Sequence, residues 1–250
     1  MHRYFAEIAY KGTEFSGWQI QPNAPTVQEV IELQLTKLTG SLAGIVGCGR
    51  TDAGVHASQY FFHFDIDNSN LDSNKLCYQL NATLPESIAV KKVLPVKEDA
   101  HARFDATQRS YVYKLHGNKN PFLKDTSFKF NQFKNINFKQ LNTAAQLLLK
   151  YEDFFPFCKT KTEVETFKCA MSRSEWVRVD ELNLEYHVSA NRFLRGMVRL
   201  IVGMCLNVSL GKLKLEEVKS ALDNQTRLET AWSVPAEGLY LNKIVYPYFD

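Results

Sequence analysis

The chain opens on an alternating run. Residues 3–10, RYFAEIAY, place apolar side chains at strand spacing, and the pattern predicts a strand there. The next fifteen residues carry two glycines and two prolines and read as a loop. Thr26 then offers an N-cap with Glu29 three positions on, and Val27, Val30, Ile31, Leu35 and Leu38 recur on one helical face until Gly40. Further strands are expected at 59–66, 88–96, 109–116, 174–179, 183–189 and 239–247. Shorter helices are expected at 75–80, after a polar break at 68–74, at 139–150 behind an Asn137–Gln140 cap, and at 215–222. The strongest amphipathic run is 191–206, where Phe193, Leu194, Met197, Val198, Ile201, Met204 and Cys205 fall at helical spacing. Strands and helices are mixed without regular βαβ alternation. The expected fold class is therefore α+β, with mainly antiparallel sheets flanked by helices.

Composition narrows this little: 250 residues, 45% hydrophobic and 23% charged, are globular material for one large or two small domains. The apolar runs are too short to span a bilayer, and no signal-peptide block stands at the start. Five cysteines, none in a C-x-x-C pair, argue against a disulfide scaffold and a structural zinc site, and a cytoplasmic protein is expected. Charge is more informative in its distribution than in its net of +3. Residues 1–106 hold 9 basic and 12 acidic side chains, and residues 107–250 hold 21 and 15. A domain boundary near 107 follows, dividing 1–106 from 107–250. Within 107–139, Arg109 and Lys114, Lys119, Lys124, Lys129, Lys134 and Lys139 stand against one acid, Asp125, with seven aromatics between them. Such clustering suits phosphate binding, although a solvated lysine surface over an aromatic core has the same pattern.

The chemistry concentrates in Gly47-Cys48-Gly49-Arg50-Thr51-Asp52-Ala53-Gly54-Val55-His56-Ala57. Three glycines in eight residues imply a turning backbone that something approaches closely. As a dinucleotide fingerprint the segment puts Asp52 where the third glycine belongs, facing an anionic pyrophosphate, and as a P-loop it lacks G-K-[ST]. A metal site would need a third ligand beside Asp52 and His56. A base deaminase would need H-x-E and P-C-x-x-C. What remains is a carboxylate held in a turn and flanked by a cation and a hydroxyl, or a glycine-rich turn in which Asp52 only accepts neighbouring backbone amides.

Five ordered blocks resemble the tRNA pseudouridine synthase A family: YKGTEFSGWQIQPNAPTVQE at 10–29, GRTDAGVHA, LNATLPESIAV with HARFDATQRSYVY, FLRGMVRLIVG, and VPAEGLYLNKIVYP. Lys11 and Ala100 depart from the family's usual Asp and Phe. The resemblance implies isomerisation of uridine to pseudouridine in tRNA, at positions 38, 39 and 40 of the anticodon stem-loop. It implies no cofactor and no metal, a homodimer, and two similar α+β halves meeting at a basic cleft. Asp52 matches the catalytic aspartate, and breaking a glycosidic bond calls for a carboxylate near the anomeric carbon. A guanidinium beside it would favour and orient the ionised form. Arg50 is the local candidate, and the resemblance gives the role to Arg199, which the helix reading places on one face with Arg192 and Arg195. Arg50 is also a candidate for holding the flipped-out backbone or for taking the place of the departed base. Tyr111 matches the active-site tyrosine, although Tyr113 shares its strand face. Leu239 matches the apolar residue that closes the pocket, and Arg195 and Lys114 are candidates for substrate binding. Trp18 and Gln19 are further candidates for RNA contact, and His56 reads as structural or RNA-facing. A non-catalytic RNA-binding protein lacks its RRM-type aromatic run here. A free-nucleoside glycosidase would have no use for the basic segment.

Overall fold

The computed structural model describes residues 1–40, 44–67, 71–159 and 165–249. The polar break expected at 68–74 therefore lies partly outside the described residues. The chain divides into two compact units, Met1–Thr107 with Tyr240–Asp250, and Gln108–Leu239. The charge shift at 107 falls where the first unit breaks off. The last eleven residues belong to that unit, where Tyr240 and Leu241 pair with His56 and Ala57.

In the first unit, β1 (His2–Tyr10) lies between β4 (Ile88–Pro95) and β3 (His56–Ile66), antiparallel to both. The short β2 (Val46–Gly47) pairs antiparallel with the far half of β3. At the near end, His56 and Ala57 pair in parallel with Tyr240 and Leu241 of β9 (Leu239–Val245). Alternation along β1 and β3 sends Tyr4, Ile8, Phe62 and Phe64 to one face and Phe5, Phe61 and His63 to the other. Both sets are buried. Tyr246 and Phe249 cover the second set, the Phe61 and Phe249 rings stacking at 5.9 Å. This explains why the strand RYFAEIAY is buried almost continuously instead of every second residue. The helix α1 (Val27–Thr39) starts where Thr26 Oγ1 accepts the Glu29 amide and ends at Gly40 in the left-handed region, φ 72°. The helix α2 (Ser73–Thr83), capped by Asp72, packs on β4 and α1.

In the second unit, β8 (Asn183–Ala190) lies between β5 (Gln108–His116) and β7 (Met171–Arg178), antiparallel to both, and the short β6 (Phe128–Lys129) runs parallel to β5. The helix α3 (Phe138–Leu147) begins at Asn137, whose side chain accepts the Gln140 amide, and packs on α4 (Met197–Ser209) and β7. The helix α5 (Leu215–Asp223) follows. The pairings β1–β3, β1–β4, β2–β3, β5–β8 and β7–β8 are antiparallel and β3–β9 and β5–β6 are parallel, so the fold is α+β and mainly antiparallel. The longest expected helix is shorter than its apolar spacing suggests. It begins at Met197, not at 191, because Gly196 takes φ 72° and breaks the helical run there. Arg192 and Arg195 consequently lie in the segment before α4 and do not share a helix face with Arg199. No helix among the described residues is long and apolar enough to cross a membrane.

Candidate active site

The Asp52 loop joins β2 to β3 and is held from beneath by the segment 11–18. Gly12 donates its amide to His56 Nδ1 at 3.0 Å, and a Cβ on Gly12 would collide with the Val55 carbonyl. Gly17 sits at φ 96° with its α-carbon against the Thr51 carbonyl, a place and a conformation closed to other residues. The Trp18 amide donates to that same carbonyl at 3.4 Å, and the Gly54 amide donates to the Phe15 carbonyl at 3.2 Å. The Val55 amide closes the turn on the Asp52 carbonyl at 3.2 Å. The Tyr10 and Thr51 hydroxyls meet at 2.9 Å, and the Tyr60 hydroxyl donates to the Gly49 carbonyl at 2.5 Å. Asp52 is thus half-buried at the apex of a loop whose backbone is tied on both sides. The three glycines of the motif serve different ends. Gly54 takes φ 76°, Gly47 makes room for the Tyr60 hydroxyl and the Trp18 indole, and Gly49 faces open space.

Several expectations about this unit resolve in one direction. Trp18 is buried, its ring stacked on Tyr60 at 4.1 Å, so it supports the loop from within and offers no exposed ring to RNA. His56 is buried against Tyr240 at 4.6 Å and acts as the acceptor for Gly12, a structural role. Arg50 is exposed. The supporting residues Tyr10, Tyr60, Gly12 and Gly17 were not legible as site residues. The paired glycines at 12 and 17 were the one signal, since a loop that merely links elements needs no close approach.

The second unit assembles a separate group. Tyr113 is buried, and its hydroxyl donates to the Pro235 carbonyl at 2.9 Å. Burial pushes its phenol far above the ordinary tyrosine range, against the opposing field of the Arg199 guanidinium. Arg199, in the first turn of α4, donates Nε to the Val234 carbonyl at 2.7 Å, which fixes the root of its fork. Tyr111 is half-buried on the same face of β5, edge-on to Phe193 at 5.1 Å. Leu239 is buried just past Gly238, whose α-carbon lies against the Tyr113 ring. The fold therefore gathers Tyr113 and Arg199 at the 234–239 segment, with Tyr111 two residues back on the same face of β5 beside Phe193. Lys114 points to the opposite face of β5 from Tyr111 and faces Glu185 across the β5–β8 register. Arg195 is exposed and tied through its carbonyl to the Lys159 amide at 3.1 Å. Of the basic segment, Lys119, Lys124, Lys129, Lys134 and Lys139 are exposed, while Phe130 and Phe133 are buried.

The family model described as tRNA pseudouridine synthase matches residues 6–105 and 144–247. Among curated proteins, "tRNA pseudouridine synthase A" of Porphyromonas gingivalis is 40% identical over 249 residues, covering 99% of this chain and 98% of that protein. The protein of the same name from Bacteroides fragilis is 41% identical over 247 residues, 99% and 97% of the two chains. That from Staphylococcus aureus is 37% identical over 244 residues, 97% and 91%. Both matched blocks contain a group described above, the braced Asp52 loop in the first and the Tyr113–Arg199 group partly in the second. With likeness of that extent at both levels, the chain belongs to the tRNA pseudouridine synthase family.

Proposed function

We propose that this protein isomerises uridine to pseudouridine in tRNA, within the anticodon stem-loop at positions 38, 39 and 40, without a cofactor and as a homodimer in the cytoplasm. The observation that carries the reading is the likeness over the full chain to proteins named tRNA pseudouridine synthase A, together with a carboxylate held rigidly at the apex of the matched GRTDAGVHA loop. In the reaction the N1–C1′ bond breaks, the uracil turns, and a C5–C1′ bond forms. C5 loses a proton and N1 gains one, so the product is an isomer and no redox partner is consumed.

In this reading Asp52 supplies the nucleophilic carboxylate, whether it attacks the sugar carbon or adds to the ring. The bracing of its backbone supports that role, because a nucleophile gains most when its position is fixed before substrate arrives. Arg199 serves the same chemistry as the cation, with its Nε already held by Val234. The target base must leave its stack to be reached. Tyr111, half-buried beside Phe193, provides the platform, and its hydroxyl serves proton movement at C5. Tyr113 is an unsuitable candidate for that step, since its hydroxyl is already committed to the Pro235 carbonyl. Arg50 holds the strand where the base has departed, Leu239 gives the base an apolar wall, and Arg195 and Lys114 add charge for the tRNA.

The experiment is tritium release from tRNA transcripts carrying uridine tritiated at C5, followed by mapping of pseudouridine. Release confined to positions 38–40 is expected, with none from free uridine. Release from the free nucleoside would favour a glycosidase-like activity instead. Arg199→Ala should lower the rate by about a hundredfold, with Arg199→Lys intermediate because a point charge cannot reproduce a planar fork. Sedimentation should give a dimer mass.

A further inference from the structure

Beside the Asp52 loop, within the first unit, lies a cleft of about 160 Å³. Its lining includes Arg50 and Arg103, the amide side chains of Gln19 and Gln28, and Gly49. No carboxylate is among its described lining residues. Glu32 stands one layer behind, where its Oε1 accepts Gln28 Nε2 at 2.9 Å and the Ile45 amide at 3.0 Å. A volume several times that of a water molecule, with two guanidiniums and no acid facing it, is suited to an anion.

Two features show that the cleft is built and not incidental. Gly49 carries no side chain where one would fit: its backbone has no left-handed strain, and a Cβ there would meet no atom within 4 Å. The space a side chain would take is left open at the floor, while the Gly49 carbonyl is fixed by Tyr60. Opposite, the turn 101–105 is locked inward. The amides of Arg103 and Phe104 donate to His101 Nδ1 at 3.1 and 3.2 Å, and the His101 amide donates to Asp105 Oδ2 at 2.6 Å. The Ala102 amide donates to the buried His63 Nδ1 at 3.1 Å, and the Tyr246 hydroxyl donates to the Ala102 carbonyl at 2.5 Å. With its backbone spent on these bonds, the turn presents Arg103 and Phe104 outward. The Arg103 guanidinium lies over the Phe104 ring at 5.6 Å, and the ring is 74% exposed and backed by His101 at 4.3 Å. An arginine carried on a rigid turn and an aromatic ledge loses little freedom on binding.

We propose that Arg50 and Arg103 form a two-sided clamp for one backbone phosphate of the RNA strand, with Gly49 as the point of close approach. The clamp rests on the reading of this protein as a tRNA-modifying enzyme, and its ligand is the phosphodiester, independent of base identity. It places a sequence-neutral anchor two residues from Asp52, so that the strand is gripped next to the nucleotide being turned.

The test measures affinity of the full-length protein for an unmodified tRNA transcript over a KCl series. Arg103→Ala should raise Kd about tenfold and lower the slope of log K against log salt by about 0.7–0.9, the change that follows when one phosphate is no longer neutralised. Arg103→Lys should keep the slope and raise Kd about threefold, retaining the charge without the fork. Gly49→Ala should melt as the parent does, yet raise Kd about fivefold with the slope unchanged, because its methyl occupies the floor. Parent-like affinity in Arg103→Ala, or in a normally folded Gly49→Ala, overturns the clamp. So does an Arg103→Ala variant whose oligomeric state changes while its tRNA affinity does not, since that result gives the face to a second copy of the chain. A parent protein that binds tRNA with these variant effects but releases no tritium overturns the proposed function and leaves the clamp standing; one that binds no tRNA overturns both.

Discussion

The Asp52 loop and the segment 107–139 are the two regions richest in candidate chemistry, and they are built on opposite plans. The loop is tied by backbone and side-chain bonds at Thr51, Asp52, Gly54 and Val55, and its supporting glycines leave no space for a larger residue. The basic segment runs through short pieces, β5, two 3-10 turns, β6 and the start of α3, and it sends its lysines outward while Phe130 and Phe133 face the core. The family model matches the first region and passes over 106–143, which contains all of the second, Tyr111 and Tyr113 included. The difference follows from what each task demands. Bond rearrangement requires an atom held in place, whereas long-range attraction to phosphates requires only charge of one sign near the path of the strand. One task restricts the sequence residue by residue; the other is met by many arrangements of lysine.

The sharpest way to break this comparison is Asp52→Asn, which keeps shape and removes charge. Single-turnover tritium release should fall at least about a thousandfold while tRNA affinity stays near that of the parent. Appreciable residual turnover would mean the fixed loop is not the reacting part. Next comes the support. Gly17→Ala forces a Cβ toward the Thr51 carbonyl at a φ of 96°, and should cost about 2–3 kcal/mol in denaturant unfolding and impair turnover beyond what the fraction folded explains. Full activity in the folded fraction would show that the bracing is stability alone. Tyr111 and Tyr113 carry the contrast into the second unit. Tyr111→Phe should slow the chemical step by about a hundredfold with affinity kept. Tyr113→Phe should cost about 1 kcal/mol of stability through removal of the bond to Pro235 and leave the chemical step nearly unaffected. Equal kinetic effects at the two positions would reverse their assignment. The smallest effects belong to the lysines. Replacing pairs among Lys119, Lys124, Lys129 and Lys134 with Ala should lower the salt slope of tRNA binding by about 0.7–0.9 for each phosphate left without its lysine, weaken different tRNAs alike, and spare the rate at saturation. A slope unchanged in every pair would return the segment to an ordinary solvated surface.

What could be read from the sequence was what local chemistry decides. Thr26 and Asn137 both cap helices as their side chains predict, and Gly40 ends α1 in the conformation that its type favours. The turn around Asp52 was legible from its glycines, but its chemical role was not, because an Asx turn has the same pattern and only the resemblance of five ordered blocks favoured catalysis. Gly196 shows the limit. Apolar spacing continues through it, so periodicity runs the helix back to 191, and only the left-handed φ at Gly196 begins it at Met197. The short β2 and β6 have no internal signal because each exists only through its partner strand. The bracing of the Asp52 loop by Gly12, Gly17 and Tyr10 was hidden for the same reason. It joins residues about forty positions apart, and nothing in a loop's composition announces what it will lie against.

The return of residues 240–249 to the first unit bears on how the enzyme is made. A ribosome delivers β1, β3 and the Asp52 loop early, but the parallel partner of His56 and Ala57, and the Tyr246 and Phe249 rings that cover Phe5 and Phe61, are synthesised only after the whole second unit. Until then the sheet has one unpaired stretch and one uncovered aromatic face. The nascent chain therefore carries its reactive loop on an unfinished scaffold until residues 240–249 have been made. A chain broken off after Leu239 would hold every candidate catalytic side chain and still lack the strand beside His56 and the rings that cover Phe5 and Phe61.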